Sequence, residues 1–212
     1  MCWNADISIN TFLFAIFALL FIFLANTYTK YKQETFKNPL VYLLLLEVAS
    51  IQLIEFFLWR NLKNKKINEL LTSLALYIII IEPLTIMLMI PNKIILISII
   101  LCYLLFLLIS NSSNTLSFIT TVKNGHLSWG WINKSTSTLY IFIYLFFFVF
   151  SMYLINNFLL FLFATFTLII TLFFYFKDNT FGSMWCWSTN LFLLYFIVDI
   201  IIIKPFNEYR YC

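Results

Sequence analysis

Four of the nine acidic residues, Glu47, Glu55, Glu82 and Asp199, fall inside long apolar runs. A charge at such a depth costs at least about 2.5 kcal/mol. No Lys or Arg lies deep enough in these runs to pair with them, since Lys204 sits at the end of its own run. Glu47 and Glu82 are each about eight residues from the same membrane side, which at about 1.5 Å per residue sets both about 12 Å deep. Asp199 lies about a turn nearer that surface. If their helices touch, two carboxyls at one depth share a proton or bind a cation. Pro83 follows Glu82, and a proline leaves a carbonyl of the preceding turn without its donor. Glu47, Glu82, Asp199 and Tyr195 are therefore the expected lining of a deep pathway. The alternative is a set of protonated acids hydrogen-bonded to neighbouring helices as structural glue.

A second constellation gathers on one face. With side A defined as the face of the N-terminus, counting crossings places all six tryptophans there: Trp3, Trp59, Trp129, Trp131, Trp185 and Trp187. Side B carries Tyr28, Tyr42, Tyr209 and Tyr211 instead. Indole favours the headgroup region, so an interfacial belt is one reading and a packed aromatic pocket the other. Cys2, Asp6, Gln52, Glu55, His126 and Cys186 lie at or near the same side. Gln52, Glu55 and Trp59 share one helical stripe by their spacing. Glu55 either faces the bundle interior or snorkels to pair with Arg60 or Lys63. If Met1 is removed, Cys2 becomes an N-terminal residue with thiol and amine together, a nucleophile and base in one. Buried, inert cysteine is the default for it and for Cys186. Cys2, His126 and Glu55 are thus weak catalytic candidates.

These residues need elements to hold them. A spanning helix takes about 20 mostly apolar residues, with a range of about 17 to 25. Seven segments qualify, at roughly 9–28, 39–59, 70–90, 93–109, 139–155, 158–176 and 184–203. None alternates polar and apolar as a barrel strand would. The composition agrees: of 212 residues, 63% are hydrophobic and 10% charged, too few charges to cover a soluble fold. The expected fold is all-α, a polytopic bundle of about seven transmembrane helices forming a single domain over 1–212. Segment 155–157 reads as a tight helical hairpin, and Pro91-Asn92 separates the third span from the fourth. The longest connection, 110–137, calls for a function or a re-entrant helix of its own. Basic residues divide seven to six between sides A and B, with the densest cluster at Arg60–Lys66, which leans side A toward the cytosol.

Several chemistries are excluded or set aside. The four cysteines form no Cys-x-x-Cys pair, so neither a disulfide framework nor a zinc site is expected. His126 is the only histidine, which rules out histidine-rich metal sites. In retinal proteins the Schiff-base lysine sits mid-helix, whereas Lys204 stands at a membrane exit before Pro205. The net charge of +4 is spread over short connections and suits an anionic membrane surface rather than nucleic acid. The N-terminus lacks the basic region and cleavage site of a signal peptide, so the first span is expected to persist. No cofactor and no metal are called for. Asn111-Ser-Ser and Asn133-Lys-Ser match the glycosylation pattern, which matters only if side A is lumenal.

The opening Met1-Cys2-Trp3-Asn4-Ala5-Asp6, the stretch Gln52-Leu-Ile-Glu55-Phe-Phe-Leu-Trp59 and Asn124-Gly-His126-Leu-Ser-Trp129 resemble a family of uncharacterised polytopic membrane proteins of large DNA viruses of algae and protists. The resemblance implies a seven-helix membrane protein and a signature on side A, and it brings no activity with it. Three functions stay open. The first is a small transporter or channel for protons, cations or a small solute, with the lipid bilayer as its only other expected partner. The second is a membrane-embedded enzyme acting on lipid through Cys2 or His126 and Glu55, less expected than a non-enzyme. The third is a non-catalytic membrane or virion component, or a lipid-binding sensor.

Overall fold

The computed structural model describes residues 4–113, 118–132 and 138–211. It is an all-α membrane bundle of about seven helices: α1 (Ala5–Tyr28), α2 (Pro39–Asn61), α3 (Lys65–Met87), α4 (Lys93–Ser113), α5 (Thr138–Leu154), α6 (Phe158–Tyr175) and α7 (Phe181–Val198). A π-helical stretch, Asp199–Ile203, joins α7 to a short α8 (Lys204–Tyr211). Six of these helices are long and apolar enough to cross a membrane, and α5, at 17 residues, is the short one.

The starts of α1 and α3 lie where asparagine side chains cap them, earlier than hydropathy alone places them. Asn4 accepts the Ile7 N–H at 2.8 Å, so α1 begins at Ala5 and not Ile9. Asn64 accepts the Ile67 N–H, so α3 begins at Lys65 and not Leu70. Asn38, Asn92 and Asn157 cap α2, α4 and α6 in the same way. The polar first turns belong to the headgroup region, which a count of apolar residues leaves out.

Helix α2 is the centre, packed against α1, α3 and α7. Half of its span is buried, against 11% for α4, which is therefore the outermost helix. On α1, Ser8, Ala15, Ala18 and Ala25 are buried along one stripe, and small residues there let α2 and α7 approach closely. Phe17, Phe166 and Phe173 point outward and are exposed, as a lipid-facing exterior requires.

The connection between α4 and α5 departs from expectation. Its described part holds a hairpin, β1 (Thr121–Lys123) paired antiparallel with β2 (His126–Ser128), and no helix of its own. Asn124 and Gly125 both take positive φ, 50° and 77°, the turn that a two-residue hairpin loop demands. Strand β1 is exposed and β2 is turned into the bundle.

Candidate functional site

Glu82 sits on α3 directly before Pro83 and is only 3% exposed. Pro83 has no N–H to give the Ile79 carbonyl one turn earlier. That carbonyl accepts a 3.0 Å hydrogen bond from the Tyr144 hydroxyl of α5. One residue on, the Ile80 carbonyl accepts from the Tyr103 hydroxyl of α4, also at 3.0 Å. Two tyrosines from two neighbouring helices thus hold the backbone that the proline opens. Glu82 itself has no such support: its Oε1 is buried without a hydrogen-bond partner among the described residues. Glu47 lies near enough to repel it when both are charged. Glu47 is tied to α3 by a different group, accepting a 2.9 Å hydrogen bond from the Thr85 hydroxyl, and its Oε2 is buried without a partner among the described residues.

Glu82 also lines two cavities. The larger, about 600 Å³, is lined by α3, α4, α5, the start of α7 and the segment after β2. It occupies the side A half of the bundle because α4 is fastened mainly at its other half, where Ile99 and Tyr103 pack with Met87, Ile90 and Phe147. Trp131 and Ile132 line it as well. The smaller cavity, about 50 Å³, lies among α2, α5, α6 and α7. Glu82, Trp185 and Cys186 line both and so stand between them. Glu47 lines neither.

The side A aromatics divide. Trp59, Trp129, Trp131 and Trp185 belong to one packed cluster with Ile51, Ile54 and Leu58 of α2 and Leu127 of β2. Trp129 is 1% exposed, donates its indole N–H to the Ser183 hydroxyl at 2.9 Å, and stacks on Trp131 with ring centres 5.6 Å apart. Trp185 donates to the Ala164 carbonyl and packs edge-on against Phe148. Trp187 is half-buried and stands outside the cluster, as an interfacial residue does. Gln52 and Glu55 are fully buried, with Thr11 donating to Gln52 Oε1 at 3.1 Å. Glu55 therefore does not snorkel, and Arg60 lays its guanidinium over the Phe56 ring at 4.7 Å. Neither Gln52 nor Glu55 lines a cavity described above.

Two expected pocket members are elsewhere. Asp6 is exposed on the first turn of α1, because the Asn4 cap starts the helix outside the apolar region. His126 sits on β2 with its ring edge-on to Tyr175 at 5.5 Å and away from both cavities. Burial lowers its imidazole below the ordinary value, against the opposing pull of Asp178. The hairpin is held there by Lys123, which pairs with Asp178 at 3.4 Å and donates to the Lys177 carbonyl. A hydrogen bond to Asn124, and after it the Lys123 ammonium, keep Asp178 below the usual carboxylate range. Cys2 and Trp3 lie outside the described residues.

Asp199 is a correction. It is not an unpaired pathway acid: Lys204 Nζ stands 3.6 Å from its Oδ2, and Gln33 donates to the same oxygen at 2.7 Å. The reason is the π turn, in which the Lys204 N–H reaches the Asp199 carbonyl five residues back, bringing the two side chains onto one face. Asn26 bonds the backbone of Gln33, and Lys204 also donates to the Lys32 carbonyl. Farther out, Glu208 pairs with Lys30 and accepts from Tyr31, which lowers its carboxyl below the ordinary value. The group is a polar clamp between α8 and the α1–α2 connection. Tyr195, 45% exposed on the outside of α7, lines neither cavity.

Tyr103 and Tyr144 are the functional residues that reading the sequence missed. Their signal was present: hydroxyls in otherwise apolar helices, opposite a helix whose proline leaves carbonyls to be satisfied. Comparison with protein-family models, curated proteins and solved structures finds no match to this chain.

Proposed function

We propose that this protein is a small-solute or cation transporter in which Glu82 is the exchange site, loaded from the side A cavity. The reading is carried by one observation: a buried carboxyl with no partner among the described residues stands between a large cavity and a small one. A lone carboxylate at this depth is balanced only by a proton or a cation, and acids so placed mark ion and solute pathways. The tyrosine-held proline turn supports the reading as well. Helix hydrogen bonds supplied by other helices can be exchanged when those helices move, and hinge positions work in this way.

The reading is tested in proteoliposomes containing a trapped pH dye, with tetraphenylphosphonium added outside to drive the exchange and the potential clamped by valinomycin with equal potassium on both sides. Wild-type protein is expected to carry protons faster than empty vesicles, and Glu82→Gln to fall to the empty-vesicle rate. Glu47→Gln, whose carboxyl lines neither cavity, is expected to retain most of the flux. Undiminished flux in Glu82→Gln overturns the reading.

A further inference from the structure

We infer that the solute is a monovalent organic cation with an aromatic or otherwise apolar body, its charge at Glu82 and its body in the large cavity. The inference rests on the transport reading for release of the solute, though not for its binding.

Charge and shape both point this way. Six aromatic rings face the cavity, from Phe106, Trp131, Tyr140, Tyr144, Phe181 and Trp185, and the remaining wall is nearly all aliphatic. Among the described residues no Lys or Arg lines it, and Glu82 is the only acidic side chain they place on its wall. Aromatic faces attract a cation within about 6 Å, and most strongly where water is excluded. An anion finds no positive group there. A bare calcium or magnesium ion needs about six oxygen ligands. The cavity offers one carboxyl, and the described residues contain no cluster of three His, Cys, Asp or Glu. A neutral apolar ligand would leave the Glu82 carboxyl unpaired. The cavity volume, about 600 Å³, falls within the range of about 300 to 1,000 Å³ typical of drug-sized ligands.

The site then exchanges one charge for another. The Glu82 carboxyl releases its proton to the aqueous phase as the cation arrives, and the carboxylate takes a proton back as the cation leaves. One positive charge replaces one, with no bond formed other than O–H.

The probe pair is tetraphenylphosphonium and tetraphenylborate, ions of the same shape and opposite charge. Binding to the purified full chain in detergent is followed by tryptophan fluorescence, since Trp131 and Trp185 line the cavity. Expected are saturable binding of the cation, about tenfold or more tighter than the anion, and a loss of about tenfold in Glu82→Gln. In wild-type protein, affinity for the cation is expected to fall as pH is lowered, a measurement that needs no variant to fold. Equal binding of the two ions, unchanged binding in Glu82→Gln, or an affinity independent of pH overturns the inference. Selective cation binding without proton flux in vesicles would overturn the transport reading and leave this site standing.

Discussion

Asp199, near side B, meets Lys204 at 3.6 Å and accepts from Gln33 at 2.7 Å, whereas Glu82, deeper in the bundle, has neither a cation nor a donor among the described residues. Both are acids on apolar helices, and by composition they look alike. Around Asp199 the chain even changes helix type, so that Lys204 comes round to face it. Around Glu82 the two available tyrosine hydroxyls are turned to backbone carbonyls instead. A buried acid with every lone pair answered fastens structure together. One left unanswered beside a cavity costs stability that a purely structural role would not require.

Substitutions separate the two. The largest expected effect is on transport: Glu82→Gln abolishes proton flux in vesicles, while Asp199→Ala, measured on the folded fraction, keeps the wild-type rate per molecule. If Asp199→Ala loses flux as fully, the clamp is part of the pathway and the contrast fails. Next comes stability. Asp199→Ala removes a charged hydrogen-bond partner whose side chain is 13% exposed. A loss of about 1.5–3 kcal/mol is expected, read as a lower unfolding midpoint in detergent.

Smaller is the effect of the tyrosines. Tyr144→Phe leaves the Ile79 carbonyl without a donor and should cost about 1 kcal/mol, a usual value for a bond between membrane helices. Pro83→Ala restores the backbone N–H to that carbonyl, so in its background Tyr144→Phe should cost nearly nothing. Equal costs in both backgrounds would show that the hydroxyl does not serve the opened turn.

The smallest effect concerns the hairpin at side A. Asp178 is depressed below its ordinary value of 3.8 in the folded state, chiefly through Asn124 and then Lys123. Its contribution is therefore complete above that value and is lost as pH falls through the lower folded one. Hydrogen exchange at 121–128 should rise over that acidic window, and Lys123→Ala should weaken the pH dependence there, the Asn124 hydrogen bond remaining. Protection that stays flat with acidification would show that the pair does not hold the hairpin.

The apolar helices, the common level of Glu47 and Glu82 and the freed carbonyl behind Pro83 were all legible in the sequence, because each follows from counting residues along a helix. What counting cannot reach is which helices touch. The Asp199–Lys204 pair was hidden by a change of helix period, since five residues apart means opposite directions in an α-helix and one face in a π turn. The hairpin had a readable sign in Asn124-Gly125, which apolar runs elsewhere overshadowed. Asparagine caps set the helix starts and moved Asp6 outside. The convergence of Glu82, Trp185 and Cys186 is tertiary, arising from α3 and α7 lining the same two spaces.

The most direct measurement is the thermal unfolding midpoint of Glu82→Leu against wild type in the same detergent. Leucine removes the unanswered carboxyl at nearly the same volume, and relief of a buried polar group is worth about 1–3 kcal/mol. The midpoint is predicted to rise. A fall resembling that of Asp199→Ala would mean that Glu82 is held by partners after all, and would contradict its role as an open site.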